Sequence, residues 1–139
     1  MTEQMILDTG PLVAFLNRND RHHDWALEVW AAARPPFLTC EPVITEAVFL
    51  LRRTGTPGDP VLALVENGTL AISFAVTDHA PALRRLLAKY RKQLMDLADA
   101  CLVRMSELFP KVRVLTVDTD FRIYRRNGRQ VIPVCMPGP

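Results

Sequence analysis

The chain has 139 residues, 49 % of them hydrophobic and 23 % charged, with a formal net charge of +2, which fits one globular domain with a single core. No apolar run approaches the roughly 18 residues of a membrane span, and Met1-Thr2-Glu3-Gln4 lacks the basic start of a secretory leader, so a cytoplasmic protein is expected. A charge of +2 does not by itself announce a nucleic-acid binder.

Cys40, Cys101 and Cys135 are widely spaced in apolar segments, without C-x-x-C or Cys/His ligand spacing, and read as reduced core residues. Arg outnumbers Lys 14 to 3, and Arg is the better fork for phosphate.

In chain order, residues 5–7 are a short apolar run that predicts a buried strand, ending in the turn Asp8-Thr9-Gly10-Pro11. Pro11 then suits the first turn of a helix over 12–16. A helix follows over 22–33, stopped by Pro35-Pro36, then a strand over 37–40 and a helix over 42–53. Thr54-Gly55-Thr56-Pro57-Gly58 reads as a loop. Beyond it come a short helix over 61–66, a strand over 70–76, amphipathic helices over 80–90 and 96–109, and strands over 112–117 and 130–135. There is no repeat or linker, so one domain over 1–139 is expected. The alternation predicts an α/β layer structure with a mainly parallel sheet, in which ligands gather at the carboxyl ends of the strands.

The acids at those ends carry two readings. Asp8 follows the first strand and Asp118 follows the 112–117 strand, so a parallel sheet brings both to one edge; each also suits a turn or a helix cap. Glu46 falls at the margin of the apolar face of the 42–53 helix, beside Leu50, where a surface acid and a pocket acid are equally at home. Asp96 and Asp99 share one helix face; Asp96 stands where an N-cap belongs, and Asp99 lies on the shoulder of the apolar stripe. Two carboxylates about 4 Å apart repel by about 4 kcal/mol at an effective dielectric near 20. A cluster therefore calls for hard divalent cations, and Mg²⁺ or Mn²⁺ supplies what phosphodiester hydrolysis requires.

Four stretches together resemble the PIN-domain family, and within it the toxin ribonucleases of VapBC toxin–antitoxin pairs: Ile6-Leu7-Asp8-Thr9-Gly10-Pro11-Leu12, Val43-Ile44-Thr45-Glu46-Ala47, Met95-Asp96-Leu97-Ala98-Asp99-Ala100, and Leu115-Thr116-Val117-Asp118-Thr119-Asp120-Phe121. The resemblance implies a three-layer α/β/α fold in which Asp8, Glu46, Asp99 and Asp118 are the catalytic, metal-binding acids, with Asp96 an additional ligand. It also implies Thr9, Thr116 and Asp120 as supporting groups around one or two Mg²⁺ or Mn²⁺ ions. The implied reaction cleaves RNA to a 5′-phosphate and a 3′-hydroxyl. A small antitoxin partner and a homodimer are implied too. Val117 stands where the family often has a basic residue. Arg122, Arg125, Arg126 and Arg129 can serve as phosphate contacts or form a solvated basic hairpin. His22 and His23 read as surface residues.

Asp8-Thr9-Gly10 is also an aspartic-protease signature, but strong helices oppose that all-β fold. A receiver domain would want a paired acid at the first strand and a late lysine. A catalytically silent PIN-like module that binds RNA or protein is the alternative from another class.

Overall fold

The computed structural model describes residues 2–139. Its strands are short: Met5–Leu7 (β1), Phe37–Thr39 (β2), Leu70–Ile72 (β3), Arg113–Leu115 (β4), Arg125–Arg126 (β5), Gln130–Val131 (β6) and Val134–Cys135 (β7). Six α-helices accompany them: Thr9–Leu16 (α1), His23–Ala32 (α2), Glu41–Arg53 (α3), Asp59–Glu66 (α4), Ala80–Lys89 (α5) and Leu97–Leu108 (α6). No helix among the described residues is long and apolar enough to cross a membrane.

Five strands form one parallel sheet in the order β3-β2-β1-β4-β7. β1 and β2 are buried at every residue, as expected of strands covered by helices on both faces. The result is the three-layer α/β/α arrangement, with Ile6, Leu7, Leu12, Leu102 and Leu115 at the centre of the core. Val43, Ala47 and Leu51 are the buried stripe of α3. Trp30 ties α2 to the sheet, stacking on Phe15 at 4.0 Å and packing on Phe37 at 4.1 Å. All three cysteines are free, and Cys40 and Cys101 are fully buried.

Several boundaries differ from the sequence expectation. α1 begins at Thr9, directly after Asp8, because the Asp8 carboxylate accepts the Thr9 amide and starts the helix early. The strand expected over 70–76 ends at Ile72, and Val76–His79 is a 3₁₀ turn. The strand expected over 130–135 is two. Gln130–Val131 turns back on β5 as an antiparallel hairpin, while Val134–Cys135 joins β4 in parallel. The hairpin turn is built on Asn127 and Gly128, both at positive φ. Pro133 separates the two pieces; without an N–H it cannot continue a ladder, and its carbonyl accepts the Val114 amide instead.

Leu94 has φ +56° and is 85 % exposed. A left-handed conformation costs a branched side chain about 1–2 kcal/mol, partly offset by the backbone entropy that glycine would lose. Leu94→Gly should therefore stabilise the fold by about 0.5 kcal/mol in urea unfolding, and a loss would contradict the assignment. Leu102→Ala, in the closed core, should cost about 2–5 kcal/mol in the same measurement.

Candidate functional site

The chain runs from β1 outward to β2 and β3, then returns to place β4 and β7 on the other side of β1. The seam between β1 and β4 is thus the topological switch point, where a crevice opens beyond the carboxyl ends of the strands. Asp8 emerges there, almost fully buried, with its amide donating to the Leu115 carbonyl at 3.0 Å.

Because Leu7 is in register with Leu115, the residue level with Asp8 is Thr116. The expectation that Asp8 and Asp118 leave equivalent strand ends is corrected accordingly: β4 stops at Leu115, and Asp118 lies on the turn beyond. Thr116 makes up the difference. Its hydroxyl donates to Asp8 Oδ2 at 2.6 Å and accepts the Asp118 amide at 2.9 Å. Gly10 is needed on the opposite wall, since a Cβ built there would stand 2.4 Å from Val117 Cγ2.

Three acids are helix caps. Asp8 accepts the Thr9 amide at 2.7 Å, Asp96 the Asp99 amide at 2.8 Å, and Asp118 the Asp120 amide at 2.8 Å, at the heads of α1, α6 and the 3₁₀ turn Thr119–Arg122. Capping and clustering coexist, because a carboxylate has about four lone-pair sites and a cap occupies one. Asp99 follows in the first turn of α6, where its Oδ2 accepts the Tyr124 hydroxyl at 3.0 Å. Glu46 sits half-buried on α3.

These acids share one electrostatic field. Burial pushes Asp8 up to about 6 against the pull of its Thr116 and Thr9 bonds, with Asp118 and Asp96 adding to the rise. Burial, then Asp96 and Asp8, push Asp99 up to about 7, with Tyr124 opposing. Glu46 is raised by burial and by Asp96, Asp8 and Asp118. Asp120 stands apart; its charge is felt at Tyr124.

Among the described residues no three His, Cys, Asp or Glu side chains close into a ready-made metal cage. The cluster is open and all-oxygen, which suits a hard cation that keeps several waters. The Thr9 hydroxyl, beside Glu46, is buried without a partner of good hydrogen-bond geometry. Raised carboxylates and an unpartnered buried oxygen are what a divalent cation would relieve.

The arginines separate. Arg125 Nη1 donates to the carbonyls of Arg122, Ile123 and Tyr124. Arg126 donates to Ser106 at 2.7 Å and Pro110 at 3.1 Å, bracing the hairpin on the end of α6. Both are engaged by main-chain carbonyls of the fold, whereas Arg122 and Arg129 are exposed. The two histidines lie at the surface, partly covered. His22 is half-buried, and the His23 ring nitrogen Nδ1 pairs with the Ala14 carbonyl at 2.7 Å.

Tyr124, fully buried against Phe121 and Tyr90, was missed in the sequence. Its only trace there is an aromatic pair three residues apart in a basic segment. Among the supporting groups expected, Thr116 bonds two acids, whereas Asp120 bonds the turn: its carbonyl accepts the Ile123 and Tyr124 amides.

Carboxyl groups raised on folding bind protons that the unfolded chain has already released. Stability without divalent metal should therefore fall as pH rises from about 4 through about 7, the span between the ordinary Asp value and that of Asp99. Asp99→Asn should flatten this slope, and Mg²⁺ should recover stability most at the alkaline end. Thermal melts across this range test it; a metal-free midpoint that climbs between pH 5 and 7 contradicts it.

A family description, the PIN domain, matches residues 5–127. Curated protein sequences give no match. Among solved structures, the chain resembles the crystal structure of Mycobacterium tuberculosis VapC20, a sarcin–ricin loop cleaving toxin. The TM-score is 0.73 at 21 % identity, covering 84 % of this chain and 92 % of that one. With the family match extending from β1 through the β5–β6 turn, the chain belongs to the PIN domain family.

Proposed function

We propose that this protein is a metal-dependent endoribonuclease and the toxin of a toxin–antitoxin pair. The observation that carries this is the gathering of Asp8, Glu46, Asp96, Asp99 and Asp118, from four separate stretches of chain, into one mutually repelling field at the switch point of the sheet. The caps stabilise their helices, but the mutual repulsion of the acids does not serve stability. The likeness to VapC20, a sarcin–ricin loop cleaving toxin, supports the toxin reading and makes a sarcin–ricin loop RNA the first substrate to try.

Asp8, Asp99 and Asp118, with Glu46 and Asp96, would hold the cation. When bound, Mg²⁺ or Mn²⁺ would supply positive charge at the phosphate and lower the pKa of water. The chain's own groups set the stage. Thr116 and the Thr9 amide fix both oxygens of Asp8, and Tyr124 fixes Asp99 from the opposite wall. Burial of Asp8 lowers the local dielectric and strengthens every charge interaction in the crevice. Phe49 on α3 and Leu62 on α4, each 56 % exposed, offer apolar surface for a homodimer.

Purified protein incubated with a sarcin–ricin loop RNA and with unstructured RNA should cleave in Mg²⁺ or Mn²⁺ and stop in chelator. Asp8→Asn and Asp99→Asn should abolish cleavage, whereas Thr116→Val and Tyr124→Phe should lose about 10- to 100-fold. Cleavage that survives chelator or both Asn substitutions would sink the mechanism, and metal binding without cleavage of any RNA would favour the silent module. Inducing the chain alone should arrest growth, with rescue by an antitoxin encoded beside it; harmless expression of an active nuclease removes the toxin role.

A further inference from the structure

RNA presents a polyanion to a site that is itself a cluster of acids, so cations must flank the crevice for the substrate to approach. Two openings border the acids. One, of about 650 Å³, is walled by Glu41, Glu46 and Asp96 with Phe49, Val76 and Leu97, and contains no cation. Its sign is wrong for phosphate. The other, of about 520 Å³, is lined by Arg21, His22, Val117, Thr119, Arg122 and Met136 together with Pro137 and Pro139, and no Asp or Glu side chain lines it.

We propose that this second cleft is a phosphate-binding subsite that seats the RNA backbone beside the scissile position, with Arg21 and Arg122 as its cations. The proposal rests on the ribonuclease reading. Val117 and Thr119 are the chain neighbours of Asp118, so the cleft and the acid cluster share a wall. Arg21 comes from the connection between α1 and α2, Arg122 from the 3₁₀ turn capped by Asp118.

Both guanidinium groups are exposed and make no side-chain hydrogen bond or ion pair among the described residues, unlike Arg125 and Arg126. They keep their donor forks for a phosphate. The Thr119 hydroxyl and the His22 ring can each donate to a phosphate or ribose oxygen, while Met136 gives the far wall an apolar surface for ribose.

The test uses the full-length protein and a fluorescein-labelled single-stranded oligoribonucleotide, with anisotropy read in chelator over a salt series. Arg21→Ala and Arg122→Ala should each weaken binding roughly 2- to 5-fold and reduce the log–log salt slope by about 0.7. Arg84→Ala, on the exposed side of α5, should do neither. Under cleavage conditions the loss should appear in KM rather than kcat.

If wild type cleaves RNA but the double variant keeps its affinity, salt slope and KM, the subsite is overturned while the nuclease stands. If RNA binding falls as expected but nothing is cleaved, the subsite stands and the nuclease reading fails. Variants that lose affinity for a polyglutamate peptide while retaining RNA overturn the proposal in favour of an acidic protein partner. Circular dichroism melts matching wild type are required of each variant, and Arg122→Lys, which retains the charge, should keep most of the salt slope.

Discussion

One hydroxyl holds the crevice together. Thr116 donates to Asp8 and accepts from the Asp118 amide, so a single side chain at the end of β4 sets the separation of two acids that repel each other. A buried carboxylate needs such donors to ionise at all. The register of β1 on β4 brings that hydroxyl level with Asp8. The sheet order then makes this seam the place where the chain reverses direction of growth. Remove the bond and the acids lose their common frame, even with every carboxylate still present.

The other acids are held by the same economy of local structure. Each cap that starts a helix also aims a carboxylate, because the oxygen that accepts the amide fixes the plane of the other. Tyr124 does from the far wall what Thr116 does from the sheet, placing a hydroxyl on Asp99. The outcome is an open cluster in which Asp8, Glu46 and Asp99 hold their protons more tightly than free carboxyl groups do.

Much of this was legible in the residues. The strand–helix alternation, the burial of residues 5–7 and the exposure of Arg52 and Arg53 follow from periodicity and turn chemistry. For Asp8 and Asp96, cap and site acid looked like rival readings, yet both hold the cap and still share the acid field. What stayed hidden depends on tertiary geometry. The break in the 130–135 strand follows from which neighbour each half finds. The fates of Arg125 and Arg126 follow from carbonyls at the end of α6 and in the turn before the hairpin. Tyr124 acquires its meaning only when α6 packs beneath it, and no spacing rule links it to Asp99.

The contact between Gly10 and Val117 binds two distant parts of the chain into one unit of variation. The space that any larger residue at position 10 would need is already filled by a Val117 methyl group. A bulkier side chain can enter at position 10 only if position 117 shrinks or turns its side chain outward. The residue beside Asp118 is therefore answerable first to the packing of α1 and only then to the substrate. Relatives carrying a long, flexible residue at position 117 should keep it clear of that space, and the two positions should change together as lineages diverge.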